Sequence, residues 1–255
     1  MILAIDIGNT NIVLGVMDHE SLLFSGRLST NIYETDEEYA MKLHSFLSIH
    51  KLLNIDGAIL SSVVPALVGT VKKAVKIVTG ITPIIVGPGI KTGLSIKIDD
   101  PAQLGADLVV GAVAAKNKYP QPTIFFDLGT ATSGIVLNKN GECIGGMIAA
   151  GVKTAINALS SSTSLLPQIE ITAPKKAIAT NTIDCMKCGA VIGTAVMIDG
   201  LIDRFEEELG EKATVIVTGE LGSSIIKNCK HDIIMDKNLL LDGLRIIYDK
   251  NRENI

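Results

Sequence analysis

Two segments of this 255-residue chain carry an acid, a glycine and hydroxyl or amide side chains in the same order. The first is Asp6-Ile7-Gly8-Asn9-Thr10-Asn11, and the second is Asp127-Leu128-Gly129-Thr130-Ala131-Thr132. A carboxylate at a strand end beside a glycine turn can hold a hydrated divalent ion, because Mg²⁺ is usually bound by one or two carboxylates together with substrate phosphates. Glycine lets the backbone approach phosphate closely, and Asn9, Thr10, Asn11, Thr130 and Thr132 supply hydrogen-bonding groups around it. The competing reading is two tight hairpin turns whose Asp and Asn cap backbone groups. Two matched copies, with Thr218-Gly219-Glu220-Leu221-Gly222 after a late apolar strand, favour nucleotide binding by two facing loops. Both G-x-x-x-x-G-K-[ST] and G-x-G-x-x-G are absent, which argues against the P-loop and dinucleotide-binding classes.

Phosphoryl transfer to a hydroxyl also needs a group that takes its proton. Asp107, in Leu104-Gly105-Ala106-Asp107 at the start of an expected helix, is a carboxylate in apolar, glycine-rich company. On residue type alone, a helix-start acid favoured by the macrodipole explains it as well. Other reactive side chains are read as structural. Cys185 and Cys188 form a lone C-x-x-C that no second pair completes into a metal site, and are taken as small helix residues in a reducing compartment. His19, His44, His50 and His231 are scattered and read as surface or helix residues, and Ser160 to Ser164 as a solvated loop.

The elements that must position these groups follow from periodicity. Ile2 to Ile5, Ile12 to Met17, Thr123 to Phe126 and Gly134 to Leu137 read as strands bracketing the two turns. Glu37 to Leu53 and Ala66 to Val78 have helical spacing, Gly57 to Val64 and Pro83 to Val86 read as buried strands, and Cys188 to Glu207 as a long helix before the strand Ala213 to Val217. Alternating strands and helices imply an α/β protein with mixed sheets flanked by helices. The repeated turn implies a duplicated domain, with lobes 1–117 and 118–255 meeting near Lys116 to Pro122.

Composition narrows the partners. With 27 acidic against 23 basic residues, and no basic run longer than Lys72-Lys73 or Lys175-Lys176, nucleic acid is not expected as a ligand. Asp6 interrupts the apolar start with no basic segment before it, so no signal peptide is expected, and no uninterrupted apolar run approaches the ~18 to 20 residues of a membrane span. The expectation is a cytoplasmic protein with no membrane partner.

Taken in order, Asp6 to Asn11, Gly87-Pro88-Gly89, Lys91-Thr92-Gly93, Gly105-Ala106-Asp107, Asp127 to Thr132, Gly145-Gly146-Met147-Ile148 and Val217-Thr218-Gly219 resemble the type III pantothenate kinases over almost the whole chain. That family belongs to the acetate and sugar kinase, heat-shock ATPase and actin superfamily, so the resemblance implies two ribonuclease-H-like lobes. It further implies ATP-dependent phosphorylation of pantothenate, the first step of coenzyme A synthesis, by a homodimer using Mg²⁺ or a similar divalent ion and K⁺ or NH₄⁺. Carried over by position, Asp6, Ile7, Gly8, Asn9, Thr10, Asn11, Ile12 and Val13 would bind ATP, with Asp6 also near the divalent ion, and Thr130 would contact ATP. Asp127 would hold the monovalent cation and Asp107 would accept the proton. Ile98, Gly105, Ala106, Asp107 and Leu108 would line the substrate pocket, and Thr182 would reach it from the neighbouring subunit.

The departures lie on the acceptor side. Leu108 stands where the family has Arg, Ile98 where it usually has an aromatic residue, Ala150 where it has Pro, and Cys185-Met186-Lys187-Cys188-Gly189 where Ser-Met-Gln-Ser-Gly is usual. Leucine supplies none of arginine's charged donor fork. Pantothenate, another small hydroxy acid or alcohol, and ATP binding without catalysis therefore all remain open on sequence alone.

Overall fold

The computed structural model describes residues 1–18 and 21–252; His19 lies outside the described residues. The first part of the chain runs β1 (Ile2–Ile7), β2 (Asn11–Met17), β3 (Leu22–Ser29), α1 (Asp36–Ile49), β4 (Gly57–Ser62), α2 (Pro65–Thr79), β5 (Ile84–Ile85), β6 (Ser95–Ile96) and α3 (Ala106–Lys118). It continues with β7 (Thr123–Leu128), β8 (Ala131–Leu137), β9 (Glu142–Ala150), α4 (Val152–Ser162), α5 (Thr182–Lys187), α6 (Thr194–Leu209), β10 (Thr214–Thr218), α7 (Gly222–Ile225), β11 (Ile234–Met235) and α8 (Leu239–Asn251). These elements form two compact units, one of residues 1–94, 99–117 and 239–255, the other of 95–98 and 118–238. Residues 239–255, which the expected boundary places in the second lobe, thus belong to the first unit, and 95–98 to the second.

In the first unit the sheet order is β3-β2-β1-β4-β5. β1 pairs antiparallel with β2 and parallel with β4, and it is buried along its length. Alternation sends its side chains to two clusters. Leu3, Ile5 and Ile7 pack with Tyr39, Leu43 and Leu47 of α1 and Leu67 and Val71 of α2. Ile2 and Ala4 pack with Val110 and Val113 of α3 and Leu241, Leu244 and Ile247 of α8. Each large aliphatic side chain so buried contributes about 1.5–3 kcal/mol. The covering helices are locally specified. Thr35 and Glu38 close a reciprocal capping box on α1, and α2 opens on Pro65 and stops at left-handed Gly80.

The second unit repeats the plan. β9-β8-β7-β10-β11 follow the order and directions of β3-β2-β1-β4-β5, with β6 added beyond β9. Its core joins Ile124 and Phe126 of β7 and Val215 and Val217 of β10 to Ile156 of α4 and Ala195, Ile198 and Ile202 of α6. The long helix starts earlier than its apolar pattern suggested, at Thr182, where Asn181 caps the first turn by accepting from the Asp184 N–H. A π-helical stretch, Cys188–Gly193, joins α5 to α6. The continuous helical run Thr182–Leu209 is, by length and composition, long and apolar enough to cross a membrane, and one face of it, with Met186, Ala190, Val191, Ala195 and Ile198, packs into this core. Ser160 to Ser162 end α4 instead of forming a loop. Ser161 Oγ–H donates to the Ala158 carbonyl of the helix at 3.2 Å, while Ser160 Oγ–H is placed to donate to the Ile156 carbonyl at 3.1 Å or to the Pro167 carbonyl of the following segment at 3.0 Å.

Candidate active site

Asp6 is the penultimate residue of β1, directly opposite Val13 of β2 and Ser61 of β4. Ser61 Oγ–H donates to Asp6 Oδ1 at 2.6 Å, while Oδ2 takes no hydrogen bond among the described residues. The turn beyond is fixed by backbone: Gly8 N–H donates to the Asn11 carbonyl at 3.0 Å, and Thr30 Oγ–H to the Gly8 carbonyl at 2.7 Å. Asn9 and Thr10 project from it exposed, whereas the Ile7 and Ile12 side chains are buried in the core and Val13 is half-buried. The two isoleucine side chains therefore shape the turn from beneath.

Asp107 lies in the first turn of α3, half-buried, and its Oδ1 accepts from the Leu108 N–H at 2.7 Å. A Cβ on Gly105 would stand 2.5 Å from that Oδ1, so glycine is what leaves room for the carboxylate. Leu108 is buried with the helix core. Burial raises the Asp107 carboxyl above the usual range. Burial also pushes Asp6 up to about 6, opposed by the Ser61 hydrogen bond and reinforced by the charge of Asp107. The first unit thus holds two carboxylates both destabilised as anions by burial, with the Asp107 charge adding to the shift of Asp6, the arrangement that functional acids and bases share.

In the second unit Asp127 repeats the placement of Asp6. It is penultimate in β7, opposite Ser133 of β8 and the buried Thr218 of β10. Gly129 N–H donates to the Ala131 carbonyl at 2.9 Å, and the Thr130 carbonyl accepts from Gly151 N–H at 3.1 Å and Thr154 Oγ–H at 2.7 Å. Thr130 is exposed at the tip and Thr132 fully buried, so of the two threonines only Thr130 offers its side chain to solvent. Gly219 takes φ +96°, and a Cβ there would meet the Leu128 carbonyl oxygen at 2.6 Å, which ties the end of β10 against the end of β7. Thr182 is exposed in the first turn of α5, and Ile98 is half-buried just after β6.

Residue types alone do not single out Ser61, and they mark Thr218 only as part of the glycine-rich segment after a late strand, not as the neighbour of Asp127. Each stands beside its aspartate only through the register of a parallel pair formed across long stretches of sequence, so the signal would have been the strand alignment. A cavity of about 380 Å³ in the second unit, between Gly145, Gly146 and Phe205, holds none of the expected site residues and a single charged group, Glu208.

The sequence model for the family described as Type III pantothenate kinase matches residues 2–204. The chain belongs to the type III pantothenate kinase family. Its relatives of that description include one from Halalkalibacterium halodurans, 42% identical over 253 residues, covering 98% of this chain and 100% of the relative. Another, from Exiguobacterium sibiricum, is 43% identical over 254 residues, covering 99% and 100%. Among solved structures, the ROK hexokinase from Thermus thermophilus aligns over 100% of this chain and 99% of its own with a TM-score of 0.55 at 10% identity. The activator of the 2-hydroxyisocaproyl-CoA dehydratase from Clostridium difficile, with bound ADPNP, aligns over 99% and 96% with a TM-score of 0.56 at 13% identity. At such identities these two carry the fold alone, and they agree with the paired ribonuclease-H-like lobes that a type III pantothenate kinase has.

Proposed function

We propose that this chain phosphorylates pantothenate with ATP, the reaction for which its family is named and the first step of coenzyme A synthesis. The observation that carries the reading is the carboxylate pair of the first unit: Asp6, anchored by Ser61 beside an exposed Asn9-Thr10 turn, and Asp107, at the head of α3, raised by burial. The donor set fits a hard cation, since Asp6 presents a carboxylate oxygen with no protein partner among the described residues. When bound, Mg²⁺ supplies charge neutralisation at the β- and γ-phosphate oxygens.

The chain's own groups divide the remaining work. Gly8 to Asn11 bind and orient the polyphosphate through backbone N–H and side-chain hydroxyl or amide groups. Asp107 orients the acceptor hydroxyl and takes its proton as that oxygen bonds to the γ-phosphorus and the bond to the β-phosphate oxygen breaks. A carboxyl raised toward neutrality is a better proton acceptor for this step than one at its ordinary value. Asp127 holds the monovalent cation, K⁺ or NH₄⁺. Gly105 to Leu108 line the acceptor pocket, and Thr182 completes it in the partner copy of a cytoplasmic homodimer.

The test is turnover of pantothenate to 4'-phosphopantothenate with ATP, Mg²⁺ and K⁺ or NH₄⁺. Asp107→Asn should lower kcat by about 10² to 10⁴ while leaving ATP affinity nearly unchanged. No turnover by the unaltered chain would refute the substrate assignment. An equal loss of ATP affinity in the variant would make Asp107 a phosphate-side ligand instead. The burial of Leu108 supports a second reading, a kinase of a smaller or less anionic hydroxy compound, which phosphorylation of such a compound in preference to pantothenate would select.

A further inference from the structure

Two thiols that the kinase chemistry leaves idle stand one helical turn apart. Cys185 is in α5 and exposed; Cys188 is half-buried where the helix passes into the π-helical stretch. The N–H of Cys188 bonds to the carbonyls of both Asp184 and Cys185. The second bond is of the i to i+3 kind, the tighter pattern in which side chains three residues apart eclipse one another. Both thiols also donate to one short piece of loop, Cys185 Sγ–H to the Ala179 carbonyl at 3.7 Å and Cys188 Sγ–H to the Ala177 carbonyl at 3.1 Å. Residues 163–181, between α4 and α5, form neither helix nor strand, longer than the ~12–15 residues that such connections seldom exceed. Leu166, Ile169 and Ile171 pack the first part of this segment against the core, and the thiols are side-chain ties on its later part, at Ala177 and Ala179.

We propose that Cys185 and Cys188 are a redox-active dithiol, converted by low-molecular-weight disulfides into an intramolecular disulfide that releases residues 177–179. The exposed Cys185 thiolate attacks a disulfide RS–SR, forming a mixed disulfide and expelling RS⁻, which takes up the proton Cys185 gave away. The Cys188 thiolate then attacks Cys185 Sγ, forming the Cys185–Cys188 bond and expelling the second RS⁻, which is likewise protonated. Two protein thiols and RS–SR become one protein disulfide and two RSH, with two electrons passing to the small molecule. Both S–H donors to the loop are consumed. The other cysteines do not compete: burial pushes the Cys143 thiol up and that of Cys229 to about 11. Nothing in this step depends on which substrate the kinase takes.

The experiment treats the reduced, full-length protein with oxidised glutathione and reads intact mass, disulfide mapping and trypsin cleavage after the exposed Lys175 and Lys176. The expected product has lost two hydrogen atoms, carries no adduct, maps to Cys185–Cys188, and is cut severalfold faster at those lysines until reductant restores the original rate. Cys188→Ser should stop at a single glutathione adduct on Cys185. The double variant Cys185→Ser/Cys188→Ser keeps hydroxyl donors and should be cut at one rate with or without oxidant. A persistent adduct on the unaltered protein, a bond to Cys143 or Cys229, no reaction, or a Cys185–Cys188 bond with unchanged cleavage would each overturn the proposal. Because mass and mapping are read on the unaltered chain, they decide the matter even if a serine variant folds poorly.

Discussion

Asp6→Asn probes a carboxylate that its own surroundings disfavour. Burial, with the Asp107 charge adding to it, moves the Asp6 carboxyl from an ordinary 3.8 to about 6. At about 1.4 kcal/mol per pKa unit, ionising Asp6 in the folded chain costs about 3 kcal/mol of stability. Below pH 3.8 folded and unfolded chains are both protonated there and the cost is absent; between 3.8 and about 6 the folded chain holds the extra proton, so stability falls as pH rises; above about 6 the cost is complete. Asparagine never ionises and still accepts from Ser61, but it adds a buried amide N–H₂ worth about 1–3 kcal/mol if unmatched. That penalty is the same at every pH, so the diagnostic is the change in the stability difference between variant and wild type. About 2 of the 3 kcal/mol should develop between pH 4.5 and 8. For a chain of this size that is about 4–8 °C in Tm, followed by circular dichroism in the metal-free, nucleotide-free protein. Parallel Tm-against-pH curves for the two proteins would refute the placement of Asp6 in a site that opposes its charge.

Three further perturbations test neighbouring claims. Gly105→Ala places a Cβ 2.5 Å from Asp107 Oδ1, so the carboxylate must swing away; kcat should fall by about 10²-fold with ATP affinity unchanged, measured by steady-state kinetics and nucleotide titration. Asp127→Ala should abolish activation by K⁺ or NH₄⁺, read by titrating each salt at constant ionic strength; surviving activation would reject the assignment. Gly219→Ala forces a side chain into a φ of +96° against the Leu128 backbone and should lower the urea midpoint by the equivalent of about 2 kcal/mol or more.

The two Asp-x-Gly turns were legible because each is bracketed by apolar strands whose pattern is local, and the matched registers of β1 with β2 and β7 with β8 follow from it. β3 and β9 escaped the reading. Leu22–Ser29 and Glu142–Ala150 alternate between half-buried and exposed or contain paired glycines, so they lack the apolar contrast that marks a strand. α8 escaped assignment for another reason. Leu241, Leu244 and Ile247 have helical spacing, but which sheet they cover depends on packing against Ile2 and Ala4, at the opposite end of the sequence. The same limit hid Ser61: a serine inside an apolar strand says nothing until parallel register sets it beside Asp6. Chemistry carried by one contiguous segment could be read directly, and chemistry assembled by sheet pairing could not.

The position of α8 has a bearing on biosynthesis. β1 is translated before the second unit, yet the apolar side chains of α8 that cover its Ala4 and Ile2 are translated only after the whole of that unit. The nascent first sheet must therefore wait half-clothed, with a greasy surface open to chaperones, while a later module completes itself. Cutting the chain before Leu239 would leave that surface bare permanently, so the last helix works as the clasp that ends the vulnerable interval.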